Sequence, residues 1–159
     1  MRYFLLDRVT ELVPGERARG IKNVTLTDEV LHDHFPDFPV LPGALVIEAA
    51  AQLAGFLLEV TTNTDDAVAP RRAVLVQIER AKFSRAAEPG DRIDLEVKLL
   101  SSLETAAQVT CEAHVGEARV MRGTLTFMLK TIDSERVHEQ RRYLYKLWTR
   151  GMEAPPKIR

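Results

Sequence analysis

The stretch His34-Phe35-Pro36-Asp37-Phe38-Pro39-Val40-Leu41-Pro42-Gly43-Ala44-Leu45-Val46-Ile47-Glu48-Ala49-Ala50-Ala51-Gln52 sets a histidine ahead of a proline-stiffened loop and one carboxylate inside an otherwise apolar helix. Each proline fixes its own φ and pushes the residue before it (Phe35, Phe38, Leu41) toward extended geometry, so the loop carrying His34 has little freedom. From Gly43 to Val60 the helical pattern has almost no polar face, which marks a helix surrounded by protein on most sides. Only Glu48, Gln52 and Glu59 interrupt it. Glu48 and Gln52 stand four apart and share one face, whereas Glu59 at the helix end is expected in solvent.

Glu48 is the unusual member of that helix. An ionised carboxylate in an apolar setting costs several kcal/mol unless it is paired. It therefore bonds to Gln52 or to buried backbone, or it holds its proton and can act as a general acid. His34 has the same two readings, a loop histidine capping a backbone group or a base held rigidly in place. The helix entry, Pro42-Gly43, offers no side-chain cap, so its first N–H groups are left for a ligand. Gly43 has no side chain to block close approach, and the positive end of the helix dipole favours an oxygen gaining negative charge.

The segment resembles the active-site motif of the β-hydroxyacyl-acyl carrier protein dehydratases, the FabZ family. That pattern, H-F-P-x-x-P-x-x-P-G-x-L-x-x-E-A-x-A-Q, is met at every fixed position from His34 to Gln52. The block Gln77-Ile78-Glu79-Arg80-Ala81-Lys82-Phe83, the turn Glu88-Pro89-Gly90-Asp91, the opening Phe4-Leu5-Leu6-Asp7-Arg8-Val9 and Ile21-Lys22-Asn23-Val24-Thr25 also fit. The likeness covers residues 1–131. It implies an α+β hot-dog fold, a curved antiparallel sheet wrapped around one long central helix. It further implies dehydration of a (3R)-3-hydroxyacyl-acyl carrier protein to the trans-2-enoyl form. In that reaction His34 is the base, the Gly43 N–H binds the thioester oxygen, Glu48 is the acid and Gln52 supports it. No metal and no cofactor are implied, the substrate arriving on the phosphopantetheine arm of acyl carrier protein. The family also forms homodimers in which His of one subunit faces Glu of the other, with trimers of dimers beyond that. Three positions depart from or qualify the pattern. Asp33 stands where Gly is common, and a carboxylate there can raise the His34 pKa. Leu95 falls about where some members carry a gating tyrosine. Glu48 in place of Asp points to the plain dehydratases rather than the dehydratase-isomerases. His32 is expected to face solvent.

The residues support the fold independently. Ala73 to Glu79, Arg92 to Leu100, Ala106 to Val115 and Ala118 to Lys130 are rich in Val, Ile, Leu and Thr, are separated by turn signals, and read as strands of a meander. In the third, Ala107, Val109, Cys111, Ala113 and Val115 alternate with Gln108, Thr110, Glu112 and His114, giving one apolar and one wet face. Cys111 is thus a core residue, and His114 a solvated or interface histidine rather than a second catalytic one. The 159 residues suit one core without a linker or repeat. A single cysteine excludes an internal disulfide, and the four histidines show no metal-ligand spacing. The N-terminus lacks a secretory pattern, and Glu48 and Gln52 interrupt the central helix as a membrane span, so a cytoplasmic protein without an integral membrane segment is expected. A net charge of −1 gives no case for nucleic acid. Arg71, Arg72, Arg80, Lys82 and Arg85 read either as solvated side chains or as a docking patch for the acidic carrier protein.

Residues 132–159 lie outside the resemblance and read as a basic amphipathic helix with a loose tail. The helix is expected to start at Asp133 or Ser134 and stop at Gly151, with Val137, Leu144, Leu147 and Trp148 on one side. It packs on its own subunit or the dimer neighbour, or else meets a membrane surface or the carrier protein. Ala154-Pro155-Pro156-Lys157 is expected to be loose. Two other functions remain open on sequence: a hot-dog hydratase or thioesterase acting on acyl-coenzyme A, and a non-catalytic module that binds acyl carrier protein.

Overall fold

The computed structural model describes residues 3–159, so the first two residues of the expected 1–131 domain lie outside the described residues. The elements follow the order β1 (Arg8–Val13), β2 (Arg17–Asn23), a 3-10 turn at Glu29–Leu31, α1 (Gly43–Thr62), β3 (Arg71–Phe83), β4 (Arg92–Ser102), β5 (Ala106–Val115), β6 (Ala118–Thr131) and α2 (Glu135–Trp148). All six strands form one antiparallel sheet. The 20-residue α1 touches every strand, which is the hot-dog arrangement. α1 is long and apolar enough to cross a bilayer by length and composition. Its apolar residues are instead buried under the sheet: Val46, Ala50, Leu53, Ala54, Phe56, Leu57 and Leu58 are each 0–1% exposed.

The strand order is β1-β2-β4-β5-β6-β3, which corrects the simple meander. β4, β5 and β6 do succeed one another, but β3 lies beyond β6 at the sheet edge. Alternation reveals which face of a strand is apolar and carries no information about which strand lies beside it. β5 follows its alternation closely. Ala107, Val109, Cys111 and Ala113 are buried, while Gln108, Thr110, Glu112 and His114 are half-buried on the other face.

Cys111 is 1% exposed, and burial pushes its thiol up from 9.0 to about 11. Because the folded pKa is the higher one, the unfolded chain ionises first as pH rises. The stability tied to this thiol is complete below the unfolded value and declines as pH climbs through about 11. Cys111 is therefore expected to resist iodoacetamide at neutral pH and to be alkylated only when denaturant opens the sheet. Rapid alkylation of the native protein, followed by mass spectrometry, would contradict that placement.

The C-terminal part joins the same core. Leu144, Tyr145 and Trp148 are buried in it, and Met152 and Ile158 are partly buried against it. Phe56 of α1 meets Tyr145 with ring centroids 4.2 Å apart and Trp148 at 6.3 Å. The inward residues of α2 are His138, Leu144, Tyr145 and Trp148. Leu147, expected on that side, is 44% exposed. Of the stretch expected to be loose, Lys157 is tied down, as is Arg159 beyond it. Lys157 and Arg159 pair with Asp66, and Arg159 also donates to the carbonyls of Asp65, Asp66 and Val68.

The anchor under α2 is a buried polar cluster that overturns two expectations. Glu59, expected in solvent, is 2% exposed, and Arg72, expected on a basic surface, is 1% exposed. Arg72 Nη1 donates to Glu59 Oε2 at 2.9 Å, and Tyr145 donates its hydroxyl to the same oxygen at 2.6 Å. Glu59 Oε1 accepts the Ala73 N–H at 3.0 Å. Arg72 Nε and Nη2 face His138 Nδ1 at 3.1 and 2.9 Å, and Nη2 also reaches the Arg159 carbonyl. A guanidinium can only donate, so Nδ1 of His138 accepts and its proton sits on Nε2. Burial, then the Glu59 carboxylate, hold the Tyr145 phenol well above its usual range and keep it a donor. Of the other expected basic residues, Arg71 pairs with Glu104 and Arg85 with Asp91, while Arg80 and Lys82 are exposed.

Candidate active site

His34 ends the segment that follows the 3-10 turn and opens the proline loop. Phe35 and Phe38 exchange backbone hydrogen bonds at 3.0 Å in each direction, which closes a tight turn around Pro36-Asp37. The Val40 N–H then returns to the His34 carbonyl at 2.9 Å, and the Leu41 N–H reaches the Ala87 carbonyl at 2.8 Å. The loop is thus fixed at both ends. The His34 ring stacks on Phe35, and its Nδ1 lies 3.0 Å from the Val40 carbonyl oxygen. A carbonyl can only accept, so Nδ1 is the donor, and in the neutral ring Nε2 presents the lone pair. Asp33 and His32 are exposed, and the partner of Nδ1 is this backbone carbonyl rather than Asp33.

The helix entry is uncapped, as its sequence implies. Pro42 supplies no side-chain cap, and its carbonyl accepts from Leu45 and Val46. Gly43 and Ala44 keep N–H groups without an acceptor among the described residues. The Phe83 ring rests over Gly43 so closely that a Cβ added there would stand 2.7 Å from its Cε1. His34, Gly43, Val46 and Phe83 line a cavity of about 380 Å³ together with Ser84 to Ala87. An imidazole and a positively polarised helix end therefore share one cavity. Phe83 is the member of this group that the sequence reading assigned no role, because its contact with Gly43 depends on how β3 meets the start of α1.

Glu48 and Gln52 occupy a different cavity, of about 760 Å³, lined by α1, β3, Phe127 and α2. Gln52 Nε2 donates to Glu48 Oε1 at 3.0 Å and to the Tyr3 carbonyl at 3.0 Å, while its Oε1 accepts the Leu5 N–H at 3.1 Å. Every polar atom of the Gln52 amide is committed, so Glu48 is held in one orientation. Glu48 Oε2 has no partner among the described residues and is the oxygen open to a ligand. A single chain thus brings His34 to Gly43 and Glu48 to Gln52, but lines separate cavities with the two pairs. Leu95 lies in the core at 2% exposure, away from both cavity linings.

Residues 1–124 match the family model described as a FabA-like domain. The chain is 36% identical to 3-hydroxyacyl-acyl-carrier-protein dehydratase FabZ of Clostridioides difficile over 128 residues, 80% of this chain and 87% of that protein. It is 38% identical over 130 residues to the FabZ of Lactiplantibacillus plantarum, covering 82% of this chain and 86% of the relative. Among solved structures, smu.793 of Streptococcus mutans bound to acetyl CoA superposes with a TM-score of 0.61 at 16% identity, over 80% of this chain and 90% of that one. The ApeI:P dehydratase heterocomplex of Xenorhabdus doucetiae gives 0.58 at 19% identity, over 74% and 92%.

Proposed function

The chain belongs to the FabA-like family of 3-hydroxyacyl thioester dehydratases, and from that premise we propose the reaction and the residues that perform it. The protein removes water from a (3R)-3-hydroxyacyl-acyl carrier protein to give the trans-2-enoyl thioester. His34 Nε2 takes the proton from the carbon beside the thioester carbonyl. Charge gathers on the carbonyl oxygen, where the Gly43 N–H and the helix dipole stabilise it. Glu48, steadied by Gln52, gives its proton to the departing hydroxyl, which leaves as water. The His34 proton must then return to Glu48, directly or through water, before the next cycle. Both protons are carried by side chains, so the elimination calls for no metal and no cofactor.

The observation that supports this reading best is the hydrogen bond from His34 Nδ1 to the Val40 carbonyl, which leaves Nε2 free to accept a proton. Enolate stabilisation needs a donor in reach of the same substrate, and the uncapped Gly43 shares that cavity. The acid must come from elsewhere, because Glu48 lines the other cavity. A homodimer answers this if the loop of one subunit sets His34 against the Glu48 of the next. Two exposed apolar features favour such pairing. Among the described residues β3 has no neighbour on its outer side and exposes Val76 and Ile78, while the His34 loop exposes Phe35 and Phe38. Its natural partner in the cytoplasm is acyl carrier protein, and Arg80 and Lys82 at the exposed end of β3 suit that acidic protein.

The test is the absorbance of the conjugated enoyl thioester when purified protein meets 3-hydroxyacyl groups on acyl carrier protein and on coenzyme A. Signal growth favouring the carrier protein is the expected result. Turnover on coenzyme A alone would make the chain a hydratase of free thioesters, and release of free thiol would make it a thioesterase. Binding of carrier protein without water loss would reduce it to a docking module.

A further inference from the structure

The cavity that holds Glu48 continues well past it. Glu48, Gln52, Gly55 and Glu59 line it in sequence, one stripe along α1 that runs ~16 Å between the first and last of them. Val137, Gln140, Arg141, Leu144 and Trp148 of α2 also line it and recur at helical spacing, so one face of α2 is turned to it. Ala73 and Leu75 of β3 and Phe127 of β6 add apolar lining between Glu48 and α2. At its far end the Glu59 carboxylate is fully engaged by Arg72, Tyr145 and the Ala73 N–H, so that end offers no free carboxylate to a substrate. α2 lies beyond residues 1–124, the part of the chain that carries the family's pattern.

We propose that α2 is the end wall of the acyl-binding passage and sets the longest acyl group that the enzyme accepts. The inference rests on the reaction proposed above, in which Glu48 meets the hydroxyl on the third carbon. With that carbon at Glu48, the remaining acyl carbons can run along Gly55 toward Val137 and Leu144, which line the same cavity. A chain longer than the passage must displace α2, which the buried Glu59–Arg72–Tyr145 cluster holds in place. Val137 is the position to probe, because it lines the cavity yet is only half-buried and takes no part in that cluster.

The experiment measures kcat/KM for a series of 3-hydroxyacyl thioesters of increasing length with the full chain and with Val137→Phe and Val137→Ala. Thermal melts and oligomer mass serve to establish that each variant is folded. Val137→Phe is expected to lower kcat/KM for the longest accepted substrate by roughly tenfold while leaving the shortest nearly unchanged. Val137→Ala is expected to move the preference toward longer chains, and it carries the test if the larger side chain disturbs folding. Length profiles that stay the same in folded variants, or a loss uniform across all lengths, would overturn the role of α2 and leave the dehydratase reading intact. Absence of turnover at every length in the full chain would instead overturn the dehydratase reading, and this inference with it.

Discussion

Glu59→Ala is expected to lower the unfolding free energy by about 3–5 kcal/mol, because it strands the Arg72 guanidinium in the core without its counter-charge. Arg72 is 1% exposed, and the only replacement for the lost carboxylate is water entering from the cavity that Glu59 lines, which does not restore the charge. The same substitution removes the acceptor of the Tyr145 hydroxyl and of the Ala73 N–H. For a chain of this size the loss corresponds to a fall in Tm of roughly 10 °C. Tyr145→Phe removes one donor while Arg72 still pairs with Glu59, and about 1–3 kcal/mol is expected. Denaturant unfolding at fixed protein concentration reads both, the concentration mattering because assembly adds to apparent stability. A loss below 1 kcal/mol for Glu59→Ala would mean that the cluster is open to water. Deleting residues 134–159 should be as damaging as Glu59→Ala. It takes away Tyr145, His138 and the Arg159 carbonyl together and uncovers Phe56.

His34→Ala is expected to cost ~10²–10⁴-fold in kcat, the usual worth of a positioned proton acceptor, with little change in stability. Glu48→Ala should cost a similar factor by removing the acid. Neither side chain belongs to the Glu59 cluster, so a folded and inactive protein is the outcome in each case. Mixing the two variants through unfolding and refolding distinguishes a site within one chain from one shared between two. Half of randomly formed dimers combine the variants, and each of these has one of its two sites intact, so about a quarter of the unmodified rate should return. No recovery from properly mixed dimers would place His34 and Glu48 in one chain, and a folded His34→Ala that keeps most of its activity would remove His34 from the reaction.

The sequence by itself determined the parts that follow from local chemistry. Three prolines stiffen the loop after His34, Pro42-Gly43 leaves α1 uncapped, and the four-residue step from Glu48 to Gln52 makes their contact a property of one helix. The alternation in β5 likewise fixed its inner face and placed Cys111 in the core. Tertiary structure alone decided what covers each of these elements. A carboxylate near the end of a helix looks solvated to its neighbours in sequence, yet Glu59 is buried by Tyr145, 86 residues away, and matched by Arg72, 13 residues away. The same long-range packing moved β3 to the sheet edge, turned His138 and Tyr145 rather than Leu147 inward, and set His34 and Glu48 in separate cavities. Periodicity records which side of an element avoids water, whereas the identity of the element that excludes the water depends on contacts between residues far apart in the chain.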